Sequence, residues 1–534
     1  MEKIIMLWMA EGLLTPENGK EMEDVGKTYL EALISRSFFQ HSSTEKSAMV
    51  MHDLVHDLAM FISGDFCFSC GDSNDLSNLG FRSCHLSYRK VSDDLTKLGA
   101  VAQSRPKKLM SLRTVLALPL SYHPKYKPFE TISKFFKVEG CLRVLSLSES
   151  SITELPDSTG NTKYLRYLDL SGTKIKELPD SICTSYNLQT LLLSGCKKLA
   201  RLPTGLAALV NLRHLDIRDT PLKEMPPQMC KMKSLQTLSD FVLGENDSWR
   251  IKELGEFPLL EGSLCISGLQ YIVDVKDVLE ANLKDHKFLS ELILIWGGDS
   301  YSTCSQQERE VLEALQPHTN LKQLRIEGYR GTIFPNWVGR ESFCNMVEVH
   351  LQDCTNVCML HPLGQLSSLR SLVICGLDEV VSIWNEFSGS SSTITNHPFT
   401  SLEELYIAGC KTLWENRMNW GLERLPSLVK LTLCEIEVGD SFPEEGLLPT
   451  TLTQLDIDNF INLKGLNGRA FQQLTSLQSL DIWFCEELEC LPQEGLPLSL
   501  SRLTIGGCSL LKQRCRRGTG EDWPKIQHIP NIVM

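Results

Sequence analysis

One phrase, L-x-x-L-x-L, restarts at Leu142, Leu165, Leu188, Leu212 and Leu235, at steps of 23, 23, 24 and 23 residues. Most copies close on a Leu-Pro or Met-Pro about a dozen residues later. The spacing constrains the fold severely. L-x-L alternation puts two leucines on one face of a short strand, and the leading leucine enters from the turn before it. A single copy cannot bury that face. Copies stacked side by side bury it against each other, which predicts a curved solenoid with a parallel sheet on its concave side.

This is the leucine-rich-repeat pattern at its usual period. It predicts an α/β solenoid, a horseshoe with a parallel sheet on the concave face, over residues 111–534. The array opens with LRTVLAL at Leu112 and loses regularity after Leu235, through LCISGL at Leu264 and LSELILIW at Leu289. Clearer phrases return at Leu321, Met346, Leu369, Leu402, Leu428, Leu452, Leu477 and Leu500, about sixteen units in all. The long step from Leu369 to Leu402 contains SGSSSTITNH, a polar insertion expected as a loop on one edge. Cys196, Cys354, Cys410, Cys485 and Cys508 each follow the last ladder residue by three positions. There a small buried side chain suits the turn off the strand, so these thiols are expected to be structural. Trp523, Pro524, Ile526 and Ile529 are candidates to cover the last repeat, and Lys512, Arg514, Arg516 and Arg517 read as the cap's solvated surface in preference to a nuclear-localisation patch, which they mimic.

The first 66 residues follow another period. Residues 1–14 read as a helix with Ile4, Ile5, Leu7 and Trp8 on one face and Glu2, Lys3 and Glu11 outside it. Residues 22–35 read as a second helix with Val25, Tyr29, Leu33 and Ile34 together. Short strands at 37–40 and 48–51 flank HSSTEK, and a third helix follows with Asp53 as N-cap and Leu54, Leu58 and Phe61 or Ile62 inward. Helix, helix, hairpin, helix is a winged-helix-like order. Residues 67–110 read as a connector or an irregular first repeat. Cys67, Cys70, Cys84 and His85 are loosely zinc-like in spacing but match no common finger, so no metal site is expected.

Here a resemblance becomes specific. IIMLWMAEGLL, LISRSFFQ and MHDLVHDLA are similar to the end of the nucleotide-binding region of plant intracellular nucleotide-binding leucine-rich-repeat disease-resistance receptors, of the coiled-coil subtype. Met51-His52-Asp53 matches their Met-His-Asp motif, and FPNW at Phe334–Trp337 and the ending GTGEDWPKIQHIPNI also resemble them. The resemblance implies that His52 and Asp53 meet bound ADP and hold the receptor off. The other reading of His52 is a packing residue before a helix, and of Asp53 a cap. The chain departs from the family in having no G-x-x-x-x-G-K-[ST], the loop whose backbone N–H groups and lysine cradle phosphates. No cofactor is therefore expected in this chain, with ADP or ATP reserved for a full-length family member. The chain is expected to be a C-terminal part.

The net charge of −13 opposes nonspecific nucleic-acid binding. No signal peptide, no run of 18 apolar residues and 19 cysteines together suggest free thiols in a reducing cytoplasm or nucleus. No H-E-x-x-H, G-x-S-x-G or dinucleotide fingerprint is present, so no enzyme is predicted. What remains is a surface. The x positions point to the concave face. They include Arg143, Arg166, Arg213, His214 and Arg218 early, then Glu403, Glu404, Tyr406, Asp456, Asp458, Asp481 and Trp483 late, with Lys322, Arg325 and Glu327 mixed between. The basic end is expected to hold an acidic surface of the nucleotide-binding module, in cis or in trans. The acidic end is expected to read a pathogen effector or a guarded host protein. The rival readings are a nucleotide-operated switch, a generic repeat adaptor and a merely solvated face.

Overall fold

The structure is a computed structural model. It describes residues 2–534 apart from Asn18, Trp420 and the segments 43–48, 71–78, 89–108, 118–139, 246–247, 298–304, 361–362 and 382–398. The insertion at 388–397 and most of the HSSTEK turn lie outside the described residues. The chain divides into two compact units, residues 1–247 with 256–260 and residues 248–255 with 261–534.

The first unit opens with α1 (Glu2–Glu11), α2 (Met22–Ser35), the antiparallel pair β1 (Phe39–His41) and β2 (Met49–Met51), and α3 (Asp53–Ser63). Their shared core is Ile5, Met9, Leu14, Val25 and Leu30, with Ile4, Trp8, Ile34, Phe39 and Met49 packed on it. The sequence expectation needs four corrections here. Leu7 is not in this core but faces the repeats. Tyr29 of α2 is exposed. On α3 the helix is capped by His52, whose Nδ1 accepts from the Leu54 N–H at 3.3 Å, not by Asp53. Its apolar residues do not point inward: Leu54 is 74% exposed and Phe61 84%, with Leu58 and Ile62 also exposed. The hairpin turns the chain away from α1 and α2, and no described element covers that face of α3.

Parallel strands then stack in chain order: β3 (Cys67–Cys70), β4 (His85–Tyr88), β5 (Thr114–Ala117), β6 (Val144–Ser146), β7 (Tyr167–Asp169), β8 (Thr190–Leu192), β9 (His214–Asp216) and β10 (Thr237–Leu238). The sheet thus begins at Cys67, two strands before LRTVLAL. Its ladder leucines Leu145, Leu168, Leu191 and Leu215 are buried, and the register carries Val144, Tyr167, Thr190, His214 and Thr237 in one row. Short 3-10 turns at Asp157–Asn161, Asp180–Thr184, Leu206–Ala208 and Met229–Lys231 return the chain on the opposite side. β10 is the edge of this sheet, and a further short strand, β11 (Asp240–Val242), follows it in sequence.

The second unit repeats the plan with longer strands: β12 (Glu261–Ser267), β13 (Phe288–Ile295), β14 (Gln323–Glu327), β15 (Glu348–Gln352), β16 (Ser371–Cys375), β17 (Glu404–Ala408) and β18 (Lys430–Cys434). It continues through β20 (Gln454–Asp458), β22 (Ser479–Trp483), β23 (Arg502–Gly506) and β24 (Asn531–Val533), all parallel. A side pair, β19 (Ser441–Phe442) and β21 (Gly465–Leu466), lies between them in sequence. Alternate residues of β15, β16, β18 and β20 are buried, as one buried face requires. FPNW is core: Phe334 stacks on Tyr329, and the buried Trp337 donates from Nε1 to the Leu312 carbonyl at 3.0 Å. At the C-terminus Ile526 and Ile529 are buried, while Trp523 is half-buried and Pro524 exposed. Asp522, also buried, binds the Leu491 N–H, Lys525 and Arg514. Arg514 is therefore committed to an internal pair, and Lys512, Arg516 and Arg517 are exposed.

Cys196, Cys354, Cys410, Cys485 and Cys508 are all buried, and each thiol donates to a main-chain carbonyl nearby. Burial pushes the Cys354 thiol up to about 12 and that of Cys410 up to about 11, so neither forms thiolate at neutral pH. Iodoacetamide at pH 8 is expected to modify the exposed Cys67, Cys141, Cys344 and Cys358 in the folded protein. Cys354 and Cys410 should react only after denaturant is added. Peptide mass spectrometry showing equal labelling of both groups without denaturant would contradict a structural role.

Candidate protein-interaction surfaces

The concave face of the first unit is occupied by the chain's own helices. Met6, Leu7 and Ala10 of α1 pack on Val144, Tyr167 and Leu192 of the sheet, beside Leu116. Since Ile5 and Met9 face α2, α1 is apolar on two sides and is buried between the winged-helix core and the repeats. Polar contacts rim this seam. Lys3 Nζ lies 3.4 Å from the buried Asp169. The Glu11 carboxylate accepts from the Thr114 hydroxyl and lies 3.7 Å from His85 Nδ1.

The early arginines meet α1 at its C-terminal end. Arg143 Nη1 donates to the Glu11 carbonyl at 2.6 Å, and Arg166 Nη1 to the Ala10 carbonyl at 3.5 Å. The last carbonyls of a helix have no intrahelical donor and carry partial negative charge, and α1 has no basic residue in its last turn. The solenoid supplies that charge from 132 residues away. Gly12, at φ +79°, makes the exit turn, a conformation a side chain would strain.

The start of α2 is held by a buried charge cluster. Glu23 is only 5% exposed. Its carboxylate accepts two bonds from Arg213, at 2.7 and 2.8 Å, and lies 3.1 Å from His214 Nε2. Arg213 also donates to Glu21 at 2.6 Å, and His214 Nδ1 lies 3.1 Å from the Thr237 hydroxyl. Burial alone would raise the Glu23 pKa, but the bonds from His214 and Arg213 and the guanidinium charge outweigh it and hold the carboxyl at about 2. Arg218 does not join this surface. It turns back on Asp216 in its own repeat at 2.6 Å. Sequence reasoning missed Glu23, Tyr167 and Asp169. The signal was present only as polar or aromatic residues at strand centres, which no period assigns to a partner.

In the second unit the late residues fall in registered rows. Asp456 and Asp481 oppose each other on β20 and β22, in the central row with Thr432 and Thr504. Asp458 and Trp483 oppose each other in the next row. Tyr406 is in the central row on β17, separated from the aspartates by β18, and Glu404 starts β17 exposed. Glu403 precedes that strand and pairs with Arg370 at 3.1 Å. Arg325 pairs with Glu327 at 3.0 Å. Burial first, then the neighbouring Asp481, pushes Asp456 above its usual pKa against the opposing bonds from Gln454 and Thr432. His52 and Asp53 are both exposed beside α3, far in sequence from every residue of these rows. With Nδ1 of His52 used in the cap, Nε2 is the ring atom left to meet a ligand. Among the described residues no group of three His, Cys, Asp or Glu side chains is placed to hold a metal ion, and no helix is long and apolar enough to cross a membrane.

Three family models match separate parts of the chain. The family described as disease resistance protein winged helix domain matches residues 1–59, leucine rich repeat matches 141–197, and R13L1/DRL21 LRRs matches 251–377. None of the three is a catalytic domain. A disease resistance protein of Arabidopsis thaliana is 40% identical over 76% of this chain and 29% of its own length. A disease resistance RPP13-like protein from the same plant is 34% identical over 96% of this chain and 54% of its own. Disease resistance protein RGA2 of Solanum bulbocastanum is 32% identical over 99% of this chain and 56% of its own. The chain spans about half the length, or less, of these relatives.

The Glu23 cluster makes the first unit sensitive to acid. With the carboxyl at about 2 when folded and 4.5 as its ordinary value, the cluster's stabilisation is complete above pH 4.5 and is lost as pH falls towards 2. The contribution is on the order of 3 kcal/mol. Glu23→Gln should destabilise the unit at pH 7 and flatten its unfolding midpoint between pH 5 and 3. Denaturant titrations across that range would count against the cluster if the variant and the parent kept the same slope.

Proposed function

The chain belongs to the plant leucine-rich-repeat disease-resistance proteins, and on that premise we propose that it is the regulatory and recognition portion of an innate immune receptor. The carrying observation is the occupied concave face: Glu23 locked on Arg213 and His214, with Arg143 and Arg166 on the end of α1. A winged-helix module held this way cannot move off the repeats without separating a buried, hydrogen-bonded ion pair. The repeats thereby restrain the module that would otherwise signal. The second unit leaves Trp483 exposed beside half-buried concave aspartates, a face for a protein partner, either a pathogen effector or a guarded host protein. The site of action is the cytoplasm or nucleus.

Nucleotide enters only through a longer chain. His52 and Asp53 supply one histidine nitrogen and one carboxylate beside α3, and no phosphate-cradling loop is in the sequence. These two residues fit the edge of an ADP site but do not make one. In that setting bound ADP would add contacts that hold the winged-helix module in its docked position, and Nε2 of His52 is the atom to meet it.

Two measurements test this reading. In leaf tissue expressing the complete gene, Arg166→Glu with Arg213→Glu should raise cell death without any pathogen, whereas Arg218→Glu should not. Autoinhibition unchanged by the double reversal would defeat the restraint model. Calorimetry of this 534-residue chain with ADP should give no saturable heat, and micromolar binding would move the nucleotide site into the chain itself.

A further inference from the structure

Trp483 and Phe484 are neighbours in sequence, yet both are exposed, 40% and 57%, at the end of β22. Their rings lie 6.3 Å apart with a 37° tilt. The next repeat has Gly506 and Gly507 at the matching positions, with Trp483 opposite Gly506 in the register. A Cβ on Gly506 would fall 2.2 Å from the Trp483 ring, and one on Gly507 would fall 2.4 Å from the Phe484 ring. The missing side chains are therefore the space in which the two rings lie flat, and the Phe484 N–H is fixed to the Gly506 carbonyl at 2.8 Å. Large aromatic surface held rigid and open to water is the composition of an interface anchor, not of a core.

The charge beside this platform defines its occupant. Asp458 is Trp483's neighbour in its own row, and Asp456 and Asp481 fill the adjacent row. Strand neighbours sit about 4.8 Å apart. Three carboxylates thus share the concave face on the β20 side of Trp483, whose ring lies over Gly506 of β23. Internal cations reach them poorly: Lys430 stands 4.0 Å from Asp456 and Arg502 4.0 Å from Asp481. Asp481 Oδ1 is buried with no hydrogen-bond donor among the described residues. A planar cation laid over an aromatic face and donating sideways to carboxylates is the natural partner of such a patch, and guanidinium meets both demands better than ammonium.

We propose that the concave surface of β20, β22 and β23 binds an arginine-bearing segment of a partner protein, with a guanidinium on the Trp483–Phe484 platform and Asp456, Asp458 and Asp481 as its acceptors. This names the partner chemistry of the recognition surface proposed above and rests on that surface being a protein-binding face. Mild repulsion among the carboxylates before binding is relieved by the incoming cation, which makes the patch selective for positive segments over the neutral surface of a chance partner.

The test uses fluorescent glycine-serine peptides carrying six arginines, six lysines or six citrullines, titrated by anisotropy into the whole chain. Citrulline keeps the planar shape of arginine without its charge. The arginine peptide should bind more tightly than the lysine peptide, and the citrulline peptide should not bind. Asp456→Asn with Asp481→Asn should weaken arginine-peptide binding by at least about tenfold. Trp483→Ala should do the same, and so should Gly506→Ala, which displaces the ring without removing it. Asp157→Asn with Asp180→Asn, an equal charge change on exposed residues of the first unit, should leave binding within about twofold. Circular dichroism confirms that each variant is folded. Equal losses from both aspartate pairs would reduce the effect to diffuse charge and overturn the proposal. So would a Trp483→Ala protein that binds normally, lysine equal to arginine, or no binding of any peptide. The leaf assay reads the receptor role independently, so a silent leaf phenotype and a silent peptide titration identify different failures.

Discussion

The structure depends on the inability of one short strand to bury its own leucines. Leu168 is covered only because Leu145 and Leu191 stand in register on either side, and each of them needs the next. Every other feature is a consequence of that stacking. The strands must be parallel, the return segments must lie on the far side, and the concave side chains are released from core duty. Those freed positions become surface with a fixed spacing between strands. The chain uses them in two ways. In the first unit they are consumed internally by α1 and α2, and in the second they face outward as a row of aspartates and a pair of aromatic rings.

The internal use explains the charge distribution. Arg213 has most of its surface covered and is tied to Glu21 and Glu23, while Arg218, five residues on, is neutralised by Asp216 in its own turn. Two arginines in the same repeat therefore differ in role because one lies before the strand and one after it. The exposed apolar side of α3 completes the contrast. The winged-helix segment is well packed along α1 and α2 and bare along α3.

The repeat, its strand positions and the burial of the turn cysteines were legible from residue spacing, because a period of about 23 is enforced by covalent chain length and local stacking alone. The winged-helix order was legible too. What could not be read was which distant segments meet. Nothing in MEDVG marks Glu23 as a buried carboxylate, since its partners Arg213 and His214 lie 190 and 191 residues away. Leu54, Leu58 and Phe61 have the spacing of a core face, and helical period alone cannot say whether a face is covered. Alternation also cannot say that Arg218 pairs with Asp216 of its own repeat. The glycines opposite Trp483 and Phe484 carried a signal, but it becomes visible only when the register pairs one repeat with the next.

The arginine contacts at the end of α1 have a bearing on how such proteins diversify. Arg143 and Arg166 address main-chain carbonyls, so the acceptor persists whatever side chain follows, provided position 10 stays small enough to pack on the sheet. Glu23 is different, because its bonds require that side chain. A recombinant joining the amino-terminal helices of one relative to the repeats of another would keep the first attachment by default and lose the second unless both carried the matching charges. The two contacts separate inheritance into a permissive hinge and a discriminating latch, and mismatched latches offer a physical origin for incompatibility between otherwise intact gene halves.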